Sequence, residues 1–158
     1  MPMARVSIQA DDFDVGHEAQ RLRVDDGEVG AVVSFVGAVR ACSDGQGIST
    51  LELEHYPGMT ERAIESMIDE ALRRFEIRAA RVVHRVGVLQ PGDQIVLVMV
   101  ASAHRHAAFQ ACEFLMDYLK TQAPFWKKEH TPESAHWVDA RAADDEALRR
   151  WGSFAENR

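Results

Sequence analysis

The chain has 158 residues, of which 46% are hydrophobic, and its formal net charge is -7 at pH 7. This length and composition predict one domain, residues 1–158, with a core of its own. The negative charge argues against general binding to nucleic acid or to a membrane surface, because both require a basic face.

The first third of the chain predicts short strands around one brief helix. Arg5 to Gln9 alternates polar and apolar residues like a strand, and Asp14 is a candidate N-cap for the helix. The apolar run at 31–39 predicts a central strand, in which Gly37 indicates a bulge or a close backbone approach. Residues 50–56 alternate leucine with glutamate and predict a half-buried strand.

The rest of the chain predicts three helices and a hairpin. Thr60 is a candidate cap for a helix with apolar residues at helical spacing, and the valine-rich segments 81–89 and 94–101 predict a hairpin. A second helix is expected to end just before Pro124, and a third to cover 144–151. This order indicates an α+β domain with a largely antiparallel sheet and flanking helices.

The segment 116–129, MDYLKTQAPFWKKE, is the candidate working site. It leads a helix into Pro124 and then presents an aromatic pair followed by Lys127 and Lys128. Lys120 lies at the edge of the helix's apolar stripe, so its stem packs while its ammonium reaches outward. The alternative is that Lys120 pairs with acidic neighbours on a solvated helix face and that the aromatic pair belongs to the core.

Basic residues stand at the ends of several predicted elements, which is unusual in an acidic protein. Together they predict a local pocket for a phosphate or carboxylate, since arginine offers a planar fork and lysine a compact charge. Crowded, partly desolvated lysines also have lowered pKa values and act as acid, base or nucleophile, and Lys120 is the first candidate for that role. The residues are Arg40, His104, Arg105, Lys120, Lys127 and Lys128.

Other residues with catalytic or metal-binding side chains have simpler interpretations. His84 lies in a valine-rich segment and is expected to be a structural histidine, and His104 with His106 is only a weak candidate metal pair. Cys42 has no base beside it in sequence, and the spacing of Cys42 and Cys112 suggests neither a disulfide framework nor a zinc site. We therefore expect no metal and no cofactor. No apolar run of membrane-spanning length and no signal peptide is found, so the expected location is the cytoplasm.

Six segments occur together in one enzyme family. They are FVGAVR at 35–40, LEHYPGM at 53–59, HRVG at 84–87, PGD at 91–93, HR at 104–105, and MDYLKT through KKE at 116–129. With these segments the chain resembles the large, catalytic subunit of molybdopterin synthase, from about Val33 to Arg141.

The resemblance implies an α/β hammerhead-type fold and a dimer of large subunits, each binding one small ubiquitin-like sulfur-carrier subunit. The thiocarboxylated tail of the small subunit would enter a pocket of this chain. Two sulfur atoms would pass from it to cyclic pyranopterin monophosphate (precursor Z), creating the dithiolene of molybdopterin. A non-catalytic module that binds a ubiquitin-like tail or a phosphorylated ligand is the alternative.

The resemblance also implies which residues form the site. Lys120 and Lys127 would be the catalytic lysines, Lys120 assisting proton transfer or attack at the thiocarboxylate and Lys127 stabilising developing negative charge. Arg40 with His104 and Arg105 would hold the phosphate and the pterin. The full set of implied substrate-binding residues is Ala38, Val39, Arg40, His104, Arg105, Lys120, Lys127, Lys128 and Glu129.

Overall fold

The computed structural model describes residues 4–43, 46–47, 49–131, 135–138 and 142–152, and Arg141 lies outside these ranges. The helices are α1 (Val15–Val24), α2 (Met59–Arg74), α3 (Arg105–Gln122) and α4 (Ala142–Arg149). The strands are β1 (Val6–Gln9), β2 (Ala31–Ala38), β3 (Cys42–Ser43), β4 (Gln46–Gly47), β5 (Thr50–His55), β6 (Ala79–Arg85), β7 (Gly87–Leu89), β8 (Gln94–Ser102), β9 (Phe125–His130) and β10 (Ala135–Val138).

The larger strands form two four-stranded sheets. The first has the order β1-β6-β8-β2 and the second the order β10-β9-β5-β7, while β3 and β4 make a small separate ladder. Of the pairings within the two large sheets, β1 with β6 is parallel and the others are antiparallel. The predicted α+β class with a largely antiparallel sheet is confirmed.

The prediction that residues 31–39 form a central strand is wrong. In the described sheet β2 is an edge strand, and β8 takes the inner place, with Leu97 to Ala101 fully buried. Phe35 and Val36 of β2 are 39% and 38% exposed, so the apolar run does not mark burial within this chain. The predicted bulge is present, because the register of β2 shifts between Gly37 and Ala38.

The predicted pairing of the valine-rich hairpin is confirmed, but its first strand is interrupted at Val86. Strand β6 pairs with β8 in the first sheet, as predicted. Gly87 then has a positive φ of 93°, a backbone region that glycine enters at low cost. The chain turns there, and β7 joins β5 in the second sheet. One predicted strand therefore connects the two sheets.

Helix α3 follows the apolar spacing read from the sequence. Ala108, Ala111 and Leu115 are almost fully buried, in one core cluster with strands of the first sheet. The helix ends at Gln122, and Ala123 already has extended backbone, as expected for the residue before Pro124. No helix in the described ranges has the length and apolarity needed to cross a membrane.

Helix α2 starts differently from the prediction. Its N-cap is Gly58, whose N–H donates to Glu61 at 2.9 Å, so Thr60 is not the cap. The fully buried Thr60 hydroxyl instead accepts a hydrogen bond from Tyr56 N and donates one to Pro124 O, both at 2.9 Å. Because Pro124 joins α3 to β9, Thr60 ties the start of α2 to the turn between Lys120 and Lys127.

We expect Thr60→Val to lower the free energy of unfolding by about 1 kcal/mol, because it leaves a partly buried N–H and a partly buried carbonyl without this partner. Thr60→Ser keeps the hydroxyl and is expected to retain most of the stability. Urea unfolding of both variants checks this, and equal midpoints for the valine and serine variants would contradict it.

Candidate functional site

A cavity of about 470 Å³ lies where the two sheets meet α3. It takes side chains from β2, β5, β6, β8 and β9 as well as from α3 and α4. Its lining combines apolar side chains with five charged ones. The lining residues are Gly37, Ala38, Val39, Arg40, Leu51, His84, Ile95, Val96, Met116, Leu119, Lys120, Thr121, Ala123, Phe125, Lys127, Glu129 and Asp144.

Strand β9 brings Lys127 and Glu129 into the cavity. Side chains alternate between the two faces of a strand, so Phe125, Lys127 and Glu129 share one face and Lys128 lies on the other. The register with β5 pairs Lys127 with Leu53 and Glu129 with Leu51, two buried leucines. On the inner face of β9, the charged side chains of Lys127 and Glu129 therefore lie next to buried leucines of β5.

Arg40 and Lys120 reach the cavity from other elements. Arg40 follows β2, where the Val39 backbone is held on both sides: Val39 N donates to Asp93 O at 2.9 Å, and Gly92 N donates to Val39 O at 2.8 Å. The turn 90–93, which connects the two strands of the predicted hairpin, thus fixes the backbone that leads into Arg40. Lys120 lies in the last turn of α3 and is exposed.

Helix α4 brings in Asp144, a residue that the sequence interpretation missed. Trp151, just after α4, packs edge-on against Phe75 and Phe114, with ring centroids 5.9 and 5.5 Å apart. This contact docks α4 on the core and leaves Asp144 in the cavity wall. Asp144 stands in an acidic helical turn remote from the lysines in sequence, and that pattern alone is typical of a solvated helix face.

The charges of the cavity depress the pKa of Lys127. Burial is the largest cause, followed by the charge of Lys120 and a hydrogen bond with its side chain, and together they lower the pKa of Lys127 to about 8. Asp144 and Glu129 oppose the shift. Lys127 is therefore the buried lysine of the pair and holds a proton that it releases close to neutral pH.

His84 is a wall of the same cavity. It is 5% exposed, and its ring stacks on Phe125 with centroids 3.8 Å apart and planes inclined by 16°. Burial is the largest cause that lowers the pKa of His84 to about 4, and the charges of Lys127, Lys120 and His55 contribute to the same shift. The expected structural histidine is thus present, but it also faces the candidate site.

We expect His84 to make the protein sensitive to acid. An unfolded histidine takes up a proton near pH 6.5, whereas folded His84 does so only near pH 4, so its contribution to stability is lost as the pH falls through that window. Between pH 7 and pH 4 the free energy of unfolding should fall by about 3 kcal/mol through this residue.

Urea unfolding of wild type and His84→Phe at several pH values measures this contribution. The phenylalanine variant has a constant offset from its lost hydrogen bond but lacks the titration, so the difference between the two proteins should change with pH. A difference that is the same at pH 7 and pH 4 would contradict the assignment.

Three implied site residues lie away from this cavity. His104 is the N-cap of α3 and Arg105 its first residue, about 22 Å from Lys120 along the helix axis. Lys128, on the outer face of β9, places its ammonium over the Trp137 ring, 5.5 Å from the centroid. The chain by itself brings Ala38, Val39, Arg40, Lys120, Lys127 and Glu129 together at one cavity.

Neither the cysteines nor the histidines form a metal centre in the described part of the chain. His106 lies in the first turn of α3, so it does not share a strand face with His104. Cys42 is exposed and Cys112 is buried, and both are free thiols. Burial raises the pKa of Cys112 to about 11, which leaves this thiol unreactive.

The fold and the cavity define a class of protein: an α+β enzyme-type domain with an arginine and two lysines around a cavity large enough for a small-molecule substrate. The sequence then identifies the family. The chain belongs to the MoaE protein family, whose model matches residues 8–122.

Characterised relatives match almost the whole chain. The molybdopterin synthase catalytic subunit of Ralstonia nicotianae is 56% identical over 155 residues, which is 98% of this chain and 88% of that protein. The solved molybdopterin biosynthesis MoaE protein of Burkholderia ambifaria has a TM-score of 0.82 at 53% identity and covers 96% of this chain and 99% of its own. Molybdopterin synthase of Staphylococcus aureus has a TM-score of 0.81 at 31% identity, covering 87% of this chain and 98% of its own.

Proposed function

We propose that this chain is the catalytic subunit of a molybdopterin synthase. It transfers two sulfurs from the thiocarboxylated tail of a small ubiquitin-like carrier subunit to cyclic pyranopterin monophosphate. The observation that carries the proposal is the cavity in which Arg40, Lys120 and Lys127 meet in a chain of net charge -7. These three cations face two carboxylates, Glu129 and Asp144, so the local formal charge is positive where the overall charge is negative.

Such a cavity suits both reactants, because the substrate carries a phosphate and the carrier tail a thiocarboxylate, and both are anions. Arg40 offers a planar fork to the phosphate. Lys127 has a pKa of about 8, close to the pH at which a general acid–base group is most effective. We therefore assign proton transfer to Lys127, and we assign to Lys120 the stabilisation of the negative charge that develops on the carbonyl oxygen of the tail when its carbon is attacked.

This division of roles reverses the one that the resemblance suggested, and pH–rate profiles separate the two. If Lys127 transfers the proton, the profile of wild type contains a step near pH 8 that Lys127→Ala removes. Lys120→Ala keeps the step in its residual activity but moves it to higher pH, because the charge of Lys120 no longer lowers the pKa of Lys127. A step that survives in Lys127→Ala and disappears in Lys120→Ala restores the original assignment.

We also propose that a second copy of the chain completes the site. The edge of β2 is unpaired in the described sheet and exposes Phe35 and Val36, and Phe109 near the start of α3 is 60% exposed. An apolar edge strand beside an apolar helix end is a surface that proteins normally cover. Burying it against a second copy would place His104 and Arg105 of one chain near the cavity of the other.

The direct test is anaerobic incubation of the chain with thiocarboxylated small subunit and cyclic pyranopterin monophosphate, with molybdopterin measured as its fluorescent oxidised derivative. Product from the wild type and only a small residual activity from a folded Lys120→Ala variant is the expected result. Binding of the carrier tail without any product would instead favour the non-catalytic module. The reaction is expected in the cytoplasm, where two free thiols persist.

A further inference from the structure

His84 is held rigidly in the cavity wall. Its ring lies against Phe125, which shares the inner face of β9 with Lys127 two residues further along. Strand β6 fixes its backbone, since His84 pairs with Val96 of β8 and with Ile8 of β1. The side chain is only 5% exposed, so the ring has a single orientation beside the two lysines.

The hydrogen bond of His84 defines its tautomer. Nδ1 lies 2.8 Å from the carbonyl oxygen of Arg85. A carbonyl oxygen only accepts, so Nδ1 carries the proton and donates. Because the ring is buried, and because Lys127, Lys120 and His55 also repel a second proton, the ring is neutral and Nε2 keeps its lone pair.

Nε2 is an acceptor that the described residues leave without a partner. Within the described residues, the His84 side chain forms a single hydrogen bond, the one from Nδ1. Among the described side chains, Glu61 Oε1 is the enclosed polar atom that has no hydrogen bond. Nε2 is therefore not sealed inside the protein, and since His84 lines the cavity, Nε2 opens onto the cavity space.

The position of Nε2 among its neighbours indicates what it accepts. Arg40, Lys120 and Lys127 offer only donors, which suit anionic oxygens. Glu129 and Asp144 are charged acceptors, which favour cations. A neutral acceptor on a flat, stacked ring suits a neutral N–H on a flat heterocycle, because neither partner then loses the solvation of a charge.

We propose that His84 is a specificity-determining residue whose Nε2 accepts a hydrogen bond from an N–H group of the pterin ring. This inference rests on the proposed function, since it names the ring of that same substrate. The cavity then has two halves: cations for the phosphate and the thiocarboxylate, and His84 with Phe125 for the heterocycle. A ring with an acceptor in place of that N–H is disfavoured, because two lone pairs would face each other.

The test uses His84→Phe, which keeps a stacked ring without an acceptor, and His84→Gln, whose carbonyl oxygen reaches the position of Nε2. His17→Phe on the exposed face of α1 is the matched control. The KM for cyclic pyranopterin monophosphate and kcat are measured at saturating thiocarboxylated small subunit. Calorimetry of the pterin with the chain alone gives its Kd without any turnover.

We expect His84→Phe to raise KM and Kd roughly 5- to 100-fold, the effect of leaving a buried donor unpaired, with kcat within about threefold of wild type if the reacting atoms keep their positions. His84→Gln should recover most of the affinity, and His17→Phe should match the wild type. Should His84→Phe fail to fold, His84→Met removes the acceptor in its place.

Two results overturn the proposal. One is an unchanged KM and Kd in His84→Phe. The other is a lower kcat with a shifted pH–rate step and unchanged KM, which would mean that Nε2 acts on Lys127. An inactive wild type that still binds the pterin through His84 would contradict the proposed function and leave this inference standing.

Discussion

Replacing Lys127 by methionine is expected to make the protein more stable and nearly inactive. The cavity lowers the pKa of Lys127 to about 8, which means that the folded protein holds the ammonium less well than the unfolded chain does. Methionine has a similar length and no charge. After allowance for solvent screening we expect a gain of about 1 to 2 kcal/mol in the free energy of unfolding at pH 7, with turnover reduced about 10² to 10³-fold.

The pH dependence of this gain has a defined sign. Between pH 8 and the ordinary lysine pKa of 10.5, the unfolded chain binds more protons at Lys127 than the folded protein does, so wild-type stability rises with pH there. The advantage of Lys127→Met should therefore shrink above pH 8. Urea unfolding at pH 7 and pH 10 measures it.

Lys128→Met is the control for stability, because Lys128 lies on the opposite face of β9 over Trp137. Losing that cation–π contact should give no gain in stability. If Lys127→Met is less stable than wild type at pH 7, or if Lys128→Met gains as much, the buried charge of Lys127 is not a destabilising group.

Two inactive variants are expected to recover activity when they are mixed, if each active site takes residues from two chains. Arg105→Ala and Lys120→Ala remove groups about 22 Å apart along α3. In a mixed dimer one site would carry both substitutions and the other neither. Random pairing puts half of the chains in mixed dimers, so refolding equal amounts together should recover about a quarter of the wild-type activity.

The matched control mixes Lys120→Ala with Lys127→Ala, which line the same cavity. Every site in that mixture lacks one lysine, so no recovery is expected. Purification through two different tags confirms that mixed dimers are present. Mixed dimers of Arg105→Ala and Lys120→Ala without recovery would mean that the start of α3 is not part of the partner's site.

The sequence was most informative where local rules decide the structure. The spacing of Ala108, Ala111 and Leu115 predicted α3, and Pro124 predicted its end. Asp14 caps α1 through His17 N as expected. These features depend on residues within a few positions of each other, so tertiary contacts did not need to be known.

The sequence was least informative at β9, the strand that carries the site. An ordinary half-buried strand has apolar residues inward and polar ones outward. In β9 Lys127 and Glu129 face inward, while Trp126 is 45% exposed. The inverted pattern conceals the strand. It also explains why burial of Lys127 could not be predicted: the layer that covers it comes from β5 and α3, far away in sequence.

The prediction that residues 31–39 form a central strand failed for a related reason. Its apolar residues predicted burial, and the chain leaves Phe35 and Val36 exposed. A hydrophobic pattern does not report whether a surface is covered by its own chain or by another. The family resemblance implies a dimer, and the covering of β2 by a second copy stays a prediction.

Because the cavity lies between the two sheets, a ligand bound in it is expected to hold the sheets together. Arg40 extends from the first sheet and Lys127 from the second, and the covalent path between the sheets includes the turn at Gly87. A ligand that contacts both side chains acts as a cross-link between the two sheets. Saturation with cyclic pyranopterin monophosphate, whose phosphate and ring system together offer contacts to both, should therefore raise the melting temperature more than inorganic phosphate does.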